Sequence, residues 1–333
     1  MHERVWRGLA VVAVGGVLLT PSLPAGAGTA FHGAGPHPMR DVALPVPLSA
    51  DGVLVAAGDI ACDPGSSAFA GGAGTASWCR ARDTLAVVQG IDPDVVLPLG
   101  DEQYDDGSLA KFRRSYDLSW GKVRARSRPA PGNHEYGVPK AEGYFRYFGS
   151  LAGTAGRGWY SYDLAGWHLV ALNSNCDRVG CRVGSPQYRW LAADLRANPA
   201  ACTLAYFHHP RFSSGPHGDD PEAAWTRDLW RLMYAQGIDV ILNGHDHIYE
   251  RFAPQDDKGK LDAEHGIREF IAGTGGGGVY KIGKIAPNSE VHDNSAYGVL
   301  KLTLAPGRYS WEFVPIPGAR FRDEGAGSCV APR

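Results

Sequence analysis

Residues 243–252 read NGHDHIYERF, placing two imidazoles, His245 and His247, two positions apart with Asp246 between them. In extended backbone, residues i and i+2 share a face. The pair could therefore hold one metal ion together or give one ligand to each of two. A single HxH is common in polar loops, but this copy is one of five clusters. GDIACD from Gly58, GDEQY from Gly100, GNHE from Gly132 and FHHP from Phe207 each follow an apolar, strand-like run. Asp, Asn and His gathered at five strand ends offer the oxygen and nitrogen donors that metal-assisted chemistry uses.

Such donors need strands to carry them. Residues 53–57 (VLVAA) and 94–99 (DVVLPL) read as short buried strands, separated by a helix over 80–90 with Leu85 and Val88 on its apolar face. Residues 107–119 read as helical, and 128–131 lead into GNHE. Residues 160–164 and 168–172 predict two strands around the turn Ala165-Gly166. Ser185 followed by Pro186 marks a capped helix start, with Trp190, Leu191 and Leu195 inward. Asp220-Pro221 repeats that start, with Trp225, Leu229 and Leu232 inward and Gly237 as the stop. Residues 203–207 and 239–242 predict the strands that deliver FHHP and the HxH. Later strands are expected at 269–272, 297–304 and 309–315, the last two forming a hairpin across Pro306-Gly307. Strands alternate with helices early and cluster late, which predicts a mixed-sheet α/β sandwich. Folds of that class bind ligands at the carboxyl ends of their strands.

Composition narrows the setting. Arg4 and Arg7, an apolar run over 9–19 too short to span a bilayer, and Ala25-Gly26-Ala27 predict a secretory signal over residues 1–27. Residues 28–50 read as an irregular Gly/Pro-rich leader, and 51–333 as one catalytic domain. No later segment has the ~18 uninterrupted apolar residues of a membrane span. The formal charge is −2, and removing the signal takes away two Arg and one Glu, so no basic footprint for nucleic acid remains. A secreted, extracellular chain with six Cys suggests up to three disulfides. Cys176 and Cys181 bracket a short polar loop. Cys62 with Cys79 would close the Gly-rich loop 64–75, leaving Cys202 for Cys329. Fifteen pairings exist, so this is one choice among them. A Cys-ligated zinc site is the alternative, but no CxxC occurs and export argues against it.

Taken in order, the clusters resemble the purple acid phosphatases, within the calcineurin-like metallophosphoesterases. The resemblance rests on Gly58-Asp59, Gly100-Asp101-Glu102-Gln103-Tyr104, Gly132-Asn133-His134-Glu135, Ala205-Tyr206-Phe207-His208 and Gly244-His245-Asp246-His247-Ile248-Tyr249-Glu250-Arg251. It implies a four-layer αββα sandwich of two mixed β-sheets flanked by helices. Related metallophosphoesterases usually carry DxH in the first motif, where this chain has Ala61. The purple acid phosphatases supply the missing ligand from a tyrosine at the position of Tyr104. A phenolate is a hard anionic donor suited to Fe(III), whereas imidazole suits softer divalent ions. Small departures (Ala61 for the family's usual Gly, Ala205 for Val) remove no ligand. The accessory N-terminal β-domain of large plant-type members is not expected here.

Residue by residue, the resemblance implies that Asp59, Tyr104 and His247 bind a first metal, Fe(III). Asn133, His208 and His245 would bind a second, divalent Zn, Mn or Fe, with Asp101 bridging. Two carboxylates and a phenolate against a formal 5+ leave a net positive site for a phosphate dianion. Such ion pairs support in-line attack by a metal-held hydroxide. His134 is placed to bond a phosphoryl oxygen or the leaving group, and His217 to protonate the leaving alkoxide. His208, two residues before Pro210, is the implied ligand. His209, its neighbour, should face away as a flanking or substrate-side residue. Glu250 and Arg251 read as structural, Arg251 pairing with a carboxylate. The run 273–278 (GTGGGG) lacks the Lys-Ser/Thr of a nucleotide loop and reads as a tight loop that lets backbone approach the site. His168, His265 and His292 read as ordinary surface or core residues.

The implied function is hydrolysis of small phosphate monoesters, as an acid phosphatase. The alternatives are a phosphodiesterase or nucleotide-cleaving enzyme on the same scaffold, or a non-catalytic exported metal-binding protein.

Overall fold

The computed structural model describes residues 51–330, so the expected signal (1–27) and leader (28–50) lie outside the described residues. From β1 (Gly52–Ala57) the chain passes through α1 (Ala81–Ile91) to β2 (Val95–Pro98), which pairs with β1 in parallel. Helices α2 (Leu109–Arg114) and α3 (Glu142–Phe148) lead to the hairpin β3 (Tyr160–Leu164) and β4 (Trp167–Ala171). The short α4 (Cys176–Val179) and then α5 (Pro186–Ala197) precede β5 (Thr203–Tyr206), and α6 (Arg227–Ala235) precedes β6 (Val240–Asn243). The remainder is strand: β7 (Tyr249–Phe252), β8 (Arg268–Ala272), β9 (Ser289–Asp293), β10 (Gly298–Ala305), β11 (Arg308–Pro315) and β12 (Glu324–Ser328).

Two mixed sheets result. One has five strands in the order β12-β11-β10-β1-β2, the other seven in the order β3-β4-β5-β6-β8-β7-β9. Alternation along β1 explains the layering. Leu54 and Ala56 point between the sheets with Leu97, Leu169, Leu242 and Phe270. Val55 and Ala57 point outward, onto Leu85 and Val88 of α1 and Phe112 of α2. The seven-stranded sheet does the same, with Val170, Ala205 and Ile241 packed on Leu191 and Leu195 of α5 and Leu229, Trp230 and Met233 of α6. This is the four-layer αββα sandwich. Each fully buried Leu or Phe contributes ~1.5–3 kcal/mol to it.

Helix α5 starts as expected: Ser185 Oγ accepts from Tyr188 N at 3.2 Å and Pro186 follows. Trp190, expected inward, is only half-buried at the margin of the cluster. The start expected at Asp220 is corrected. Pro221–Ala224 forms a single 3-10 turn, and α6 begins at Arg227. The Asp220 side chain makes no cap bond, and the inward row is Leu229, Trp230 and Met233, with Trp225 and Leu232 half-buried.

Three disulfides join Cys62 to Cys79, Cys176 to Cys181, and Cys202 to Cys329. No helix among the described residues is long and apolar enough to cross a membrane. Strands β4, β5, β6 and β8 run parallel to one another. Their carboxyl ends therefore open on the same edge, where the polar clusters meet.

Candidate metal centre

The loops after β1 and β2 continue as a short ladder. Asp59 N donates to Gly100 O, Ile60 N to Asp101 O and Ala61 N to Glu102 O, each at 3.0 Å, and Tyr104 N returns to Ala61 O at 2.9 Å. This ladder sets Asp59 beside Asp101 and swings Tyr104 over both. Ala61 contributes no side-chain donor, yet its main chain aligns the tyrosine. Asp59, Asp101 and His245 all sit at positive φ (62°, 49° and 69°). That region costs a non-glycine residue ~1–3 kcal/mol and persists only where the surroundings hold it. Two glycines show how tight the surroundings are. A Cβ on Gly132 would lie 2.1 Å from Asp101 Oδ1, and one on Gly244 2.8 Å from Asp59 Oδ2.

Two sets of donor atoms converge. In the first, Tyr104 Oη is 2.9 Å from both Asp59 Oδ1 and His247 Nε2, which are 3.3 Å from each other. In the second, His208 Nε2 is 3.1 Å from Asn133 Oδ1, 3.2 Å from His245 Nδ1 and 3.3 Å from Asp101 Oδ2. Donor atoms of Asp59, Asp101 and His208 lie within 4.8 Å of one another, which joins the sets. All seven implied ligands are therefore together, with Asp101 between the groups.

The donor chemistry fits cations. Ligands ~2.1 Å from one ion stand roughly 3 Å apart, the spacing seen in both sets. His208 Nδ1–H donates to Leu99 O at 2.8 Å, so the neutral ring would present its Nε2 lone pair to an amide oxygen, a carboxylate oxygen and a second imidazole. Facing lone pairs repel unless something positive lies among them. In the bare protein a proton on His208 supplies that positive charge. Burial pulls His208 down, but the Asp101 charge outweighs it and carries the imidazole up to about 9. At Tyr104, burial and then the Asp59 and Asp101 charges push the phenol well above its usual range. Only a cation among the donors reverses that.

Around these sets the structure supplies second contacts that the sequence reading left unassigned. Glu135 is fully buried and accepts from Asp101 N at 2.9 Å and Gly132 N at 2.8 Å, bracing the shared carboxylate. Burial and the Asp101 charge raise Glu135 to about 7. Asp246 is also fully buried and accepts from His217 Nδ1 at 2.7 Å. The bond to Asp246 outweighs burial and raises the His217 pKa. The His217 ring lies 4.2 Å from His245, centroid to centroid, while the His134 ring stands edge-on to Tyr104 at 4.4 Å. His134 Nδ1 is 2.5 Å from Asp105 O, and Nε2 is 3.8 Å from Asp101 Oδ2. Tyr280 stacks on His247 at 3.9 Å; no local pattern announces it. The 273–278 run does bring backbone close, for a Cβ on Gly273 would sit 2.8 Å from Asp59 Oδ2.

One expectation is corrected. Alternation should have turned His209 away from His208, yet the two rings lie 4.9 Å apart and His209 is 4.5 Å from His245. β5 ends at Tyr206, so the two-residue period stops before either histidine. His209 is fully buried, held by Ser174 Oγ at 2.8 Å on Nδ1, with Nε2 3.5 Å from Glu222. Arg251 pairs with Asp323 at 2.8 Å and also with Glu290, as a structural residue does.

The sequence matches the family described as calcineurin-like phosphoesterase over residues 53–249. Purple acid phosphatase 18 of Arabidopsis thaliana is 30% identical over 202 residues, covering 56% of this chain and 45% of that protein. Purple acid phosphatase 21 of the same plant is 29% identical over 202 residues, with the same two coverages. The chain thus spans about half the length of the curated relatives it matches. Among solved structures, purple acid phosphatase PPD1 from yellow lupin seeds superposes with a TM-score of 0.64 at 19% identity, covering 84% of this chain and 54% of that one.

Proposed function

The chain belongs to the calcineurin-like phosphoesterases, and from that premise we propose that it is an exported phosphomonoesterase of purple acid phosphatase type. The family implies a binuclear metal centre. In this reading Asp59, Tyr104 and His247 hold Fe(III), Asn133, His208 and His245 hold a divalent Zn, Mn or Fe, and Asp101 is shared. The observation that carries the reading is the convergence at His208 Nε2 of an amide oxygen, a carboxylate oxygen and a second imidazole nitrogen, a set of ligand atoms that a divalent cation would fill. Bound ions of this kind supply positive charge to a phosphoryl group and acidity to water.

The chain's own groups handle binding and proton movement. His134, held at Nδ1 by the Asp105 carbonyl, turns Nε2 toward the site, in reach of a phosphoryl oxygen. His217, held at Nδ1 by Asp246, keeps Nε2 to protonate the departing alkoxide. General acid help of that kind is worth roughly a hundred- to ten-thousandfold. Export is supported by three disulfides, which persist in oxidising compartments.

Metal analysis, a visible spectrum and two substrates test the reading together. Pure protein is expected to carry iron and one divalent ion, to be violet from ferric tyrosinate, and to prefer p-nitrophenyl phosphate to its bis-ester. A colourless, zinc-only sample removes the iron assignment. Strong preference for the bis-ester makes it a diesterase. No turnover between about pH 4 and 9 leaves a metal-binding protein without this chemistry.

A further inference from the structure

Beside the Tyr104–His247 donor set, and sharing the His134 wall, lies a cavity of about 300 Å³. We propose that it is the leaving-group subsite of the phosphoesterase and that it takes a planar aromatic alcohol, a nucleoside or a benzylic group, carrying no further negative charge. The proposal rests on the function given above and names the substrate class for the same site.

Its walls are aromatic and anionic. Trp78, 48% exposed, and Tyr280 both face the cavity. Tyr280 is itself stacked on His247 at an interplanar angle of 12°, which fixes the plane it presents. Asp63 and Asp105 add carboxylates to a lining that also includes Tyr104, His134 and His247 and has no Lys or Arg. Asp63 is paired with Lys111, so that cation is already answered. Beyond His134, which serves the transferred phosphoryl group, a sugar bearing extra phosphates would meet carboxylates here and find no Lys or Arg to bind. A flat ring would find two π-faces, and stacking of one base on an aromatic side chain is sequence-tolerant and substantial.

Trp78 is half exposed because its loop is pinned, not because it is loose. Its N–H donates to Thr75 Oγ1 at 3.1 Å and its carbonyl accepts from Thr75 N at 2.8 Å. The next residue is tied to Cys62 by a disulfide, Tyr297 Oη donates to Ser77 O at 2.6 Å, and Arg80 N donates to Gly276 O at 3.0 Å. The indole lies against Gly278, where a Cβ would meet the ring at 2.3 Å. A large aromatic held open at this position is preorganised for a ligand, since the ordering cost is met before binding.

The test uses esters of primary alcohols, so that leaving-group acidity stays nearly constant: adenosine 5′-monophosphate, benzyl phosphate and glycerol 3-phosphate. The wild-type enzyme is expected to favour the two aromatic esters in kcat/KM. Trp78→Ala should cut the ratio of kcat/KM for the adenosine ester over the glycerol ester roughly tenfold, and Trp78→Phe should restore most of it, the scale of one lost stack. If only benzyl phosphate responds, the pocket takes small rings and not nucleosides. Equal wild-type kcat/KM for aromatic and glycerol esters, or a Trp78→Ala loss shared by all three, overturns the subsite. Adenosine alone should also quench part of the tryptophan fluorescence, and Trp78→Ala should abolish that part. If no ester is hydrolysed, the phosphatase reading fails. The quenching experiment then decides separately whether the cavity binds an aromatic ring.

Discussion

Two buried histidines at opposite ends of the seven-stranded sheet show what separates a structural site from a functional one. His168, at the amino end of β4, is satisfied on both nitrogens, by Asp163 at 2.8 Å and Asp194 at 2.9 Å. Nearby Asp239 accepts from Thr203 N and Val330 N, each at 2.7 Å, and Cys202 is bonded to Cys329. Each of these polar groups has its own hydrogen-bond partners. His208, just past the carboxyl end of β5, has one nitrogen held by the Leu99 carbonyl and the other set among acceptors. Both rings are equally hidden from solvent, 2% and 0% exposed. Burial therefore does not distinguish them; the number of ligand atoms gathered at one nitrogen does, since Asn133, Asp101 and His245 all meet at His208 Nε2 whereas each nitrogen of His168 has a single carboxylate partner.

The sharpest break of that contrast is to remove each ring in turn. His208→Ala should lose the second ion and cost roughly a thousandfold or more in kcat, since the ions are asked for several kcal/mol of transition-state stabilisation. His168→Ala should leave kcat within about twofold, because it touches none of the donor atoms. Metal content and p-nitrophenyl phosphate turnover read both. Activity and metal content unchanged in His208→Ala would mean the facing lone pairs serve some other purpose.

His217 is the intermediate case, with Nδ1 answered by Asp246 as at His168 and its ring 4.2 Å from His245 of the donor set. His217→Gln should lower kcat roughly a hundredfold with alkyl esters, within the range for a lost general acid. The loss should shrink for p-nitrophenyl phosphate, whose leaving group needs no proton. Asp246→Asn keeps the ring but not the charge that orients it, and should cost about tenfold, on the scale of other residues that hold a site residue in place. An equal loss for both esters would assign His217 to ground-state binding instead.

The donors were legible in the sequence because each sits within a few residues of its own strand end, where local pattern is informative. Asp59, Asp101 and His245 need only a glycine before them and an apolar run before that. What was hidden arises from contacts distant in sequence. Trp78 and Tyr280 are about two hundred residues apart, and no periodicity ties either to the site. β7 carries Glu250 and Arg251, and β12 reads EGAGS; neither resembles a strand. Glu250 is nevertheless buried, bonded to Ser214 and Ser289, and Arg251 is half-buried against Asp323. His209 was misplaced because a strand period was extended past the end of the strand. Glu102, fully buried beside Glu135, is driven well above its usual range by burial and then by that neighbour's charge; nothing in GDEQY marks it as interior.

The smallest effect lies at the structural end and concerns stability alone. Burial pulls His168 down, but its hydrogen bonds to Asp194 and Asp163, with their charges, outweigh it and leave the imidazole pKa raised. A histidine titrating higher when folded than at its unfolded ~6.5 contributes stability that is complete below that value. The contribution drains away as pH rises through the folded pKa, since the unfolded chain then no longer differs from the folded one in protons lost. Asp194→Asn removes the more buried partner and should cost about 1–3 kcal/mol at pH 6, the range for a hydrogen bond to a charged group. For a domain of this size that is a few degrees in Tm. The deficit should narrow by pH 9, while kcat for p-nitrophenyl phosphate stays level. A Tm deficit identical at pH 6 and 9 would show that Asp194 holds His168 as a neutral ring, and the contrast with His208 would then rest on geometry without charge.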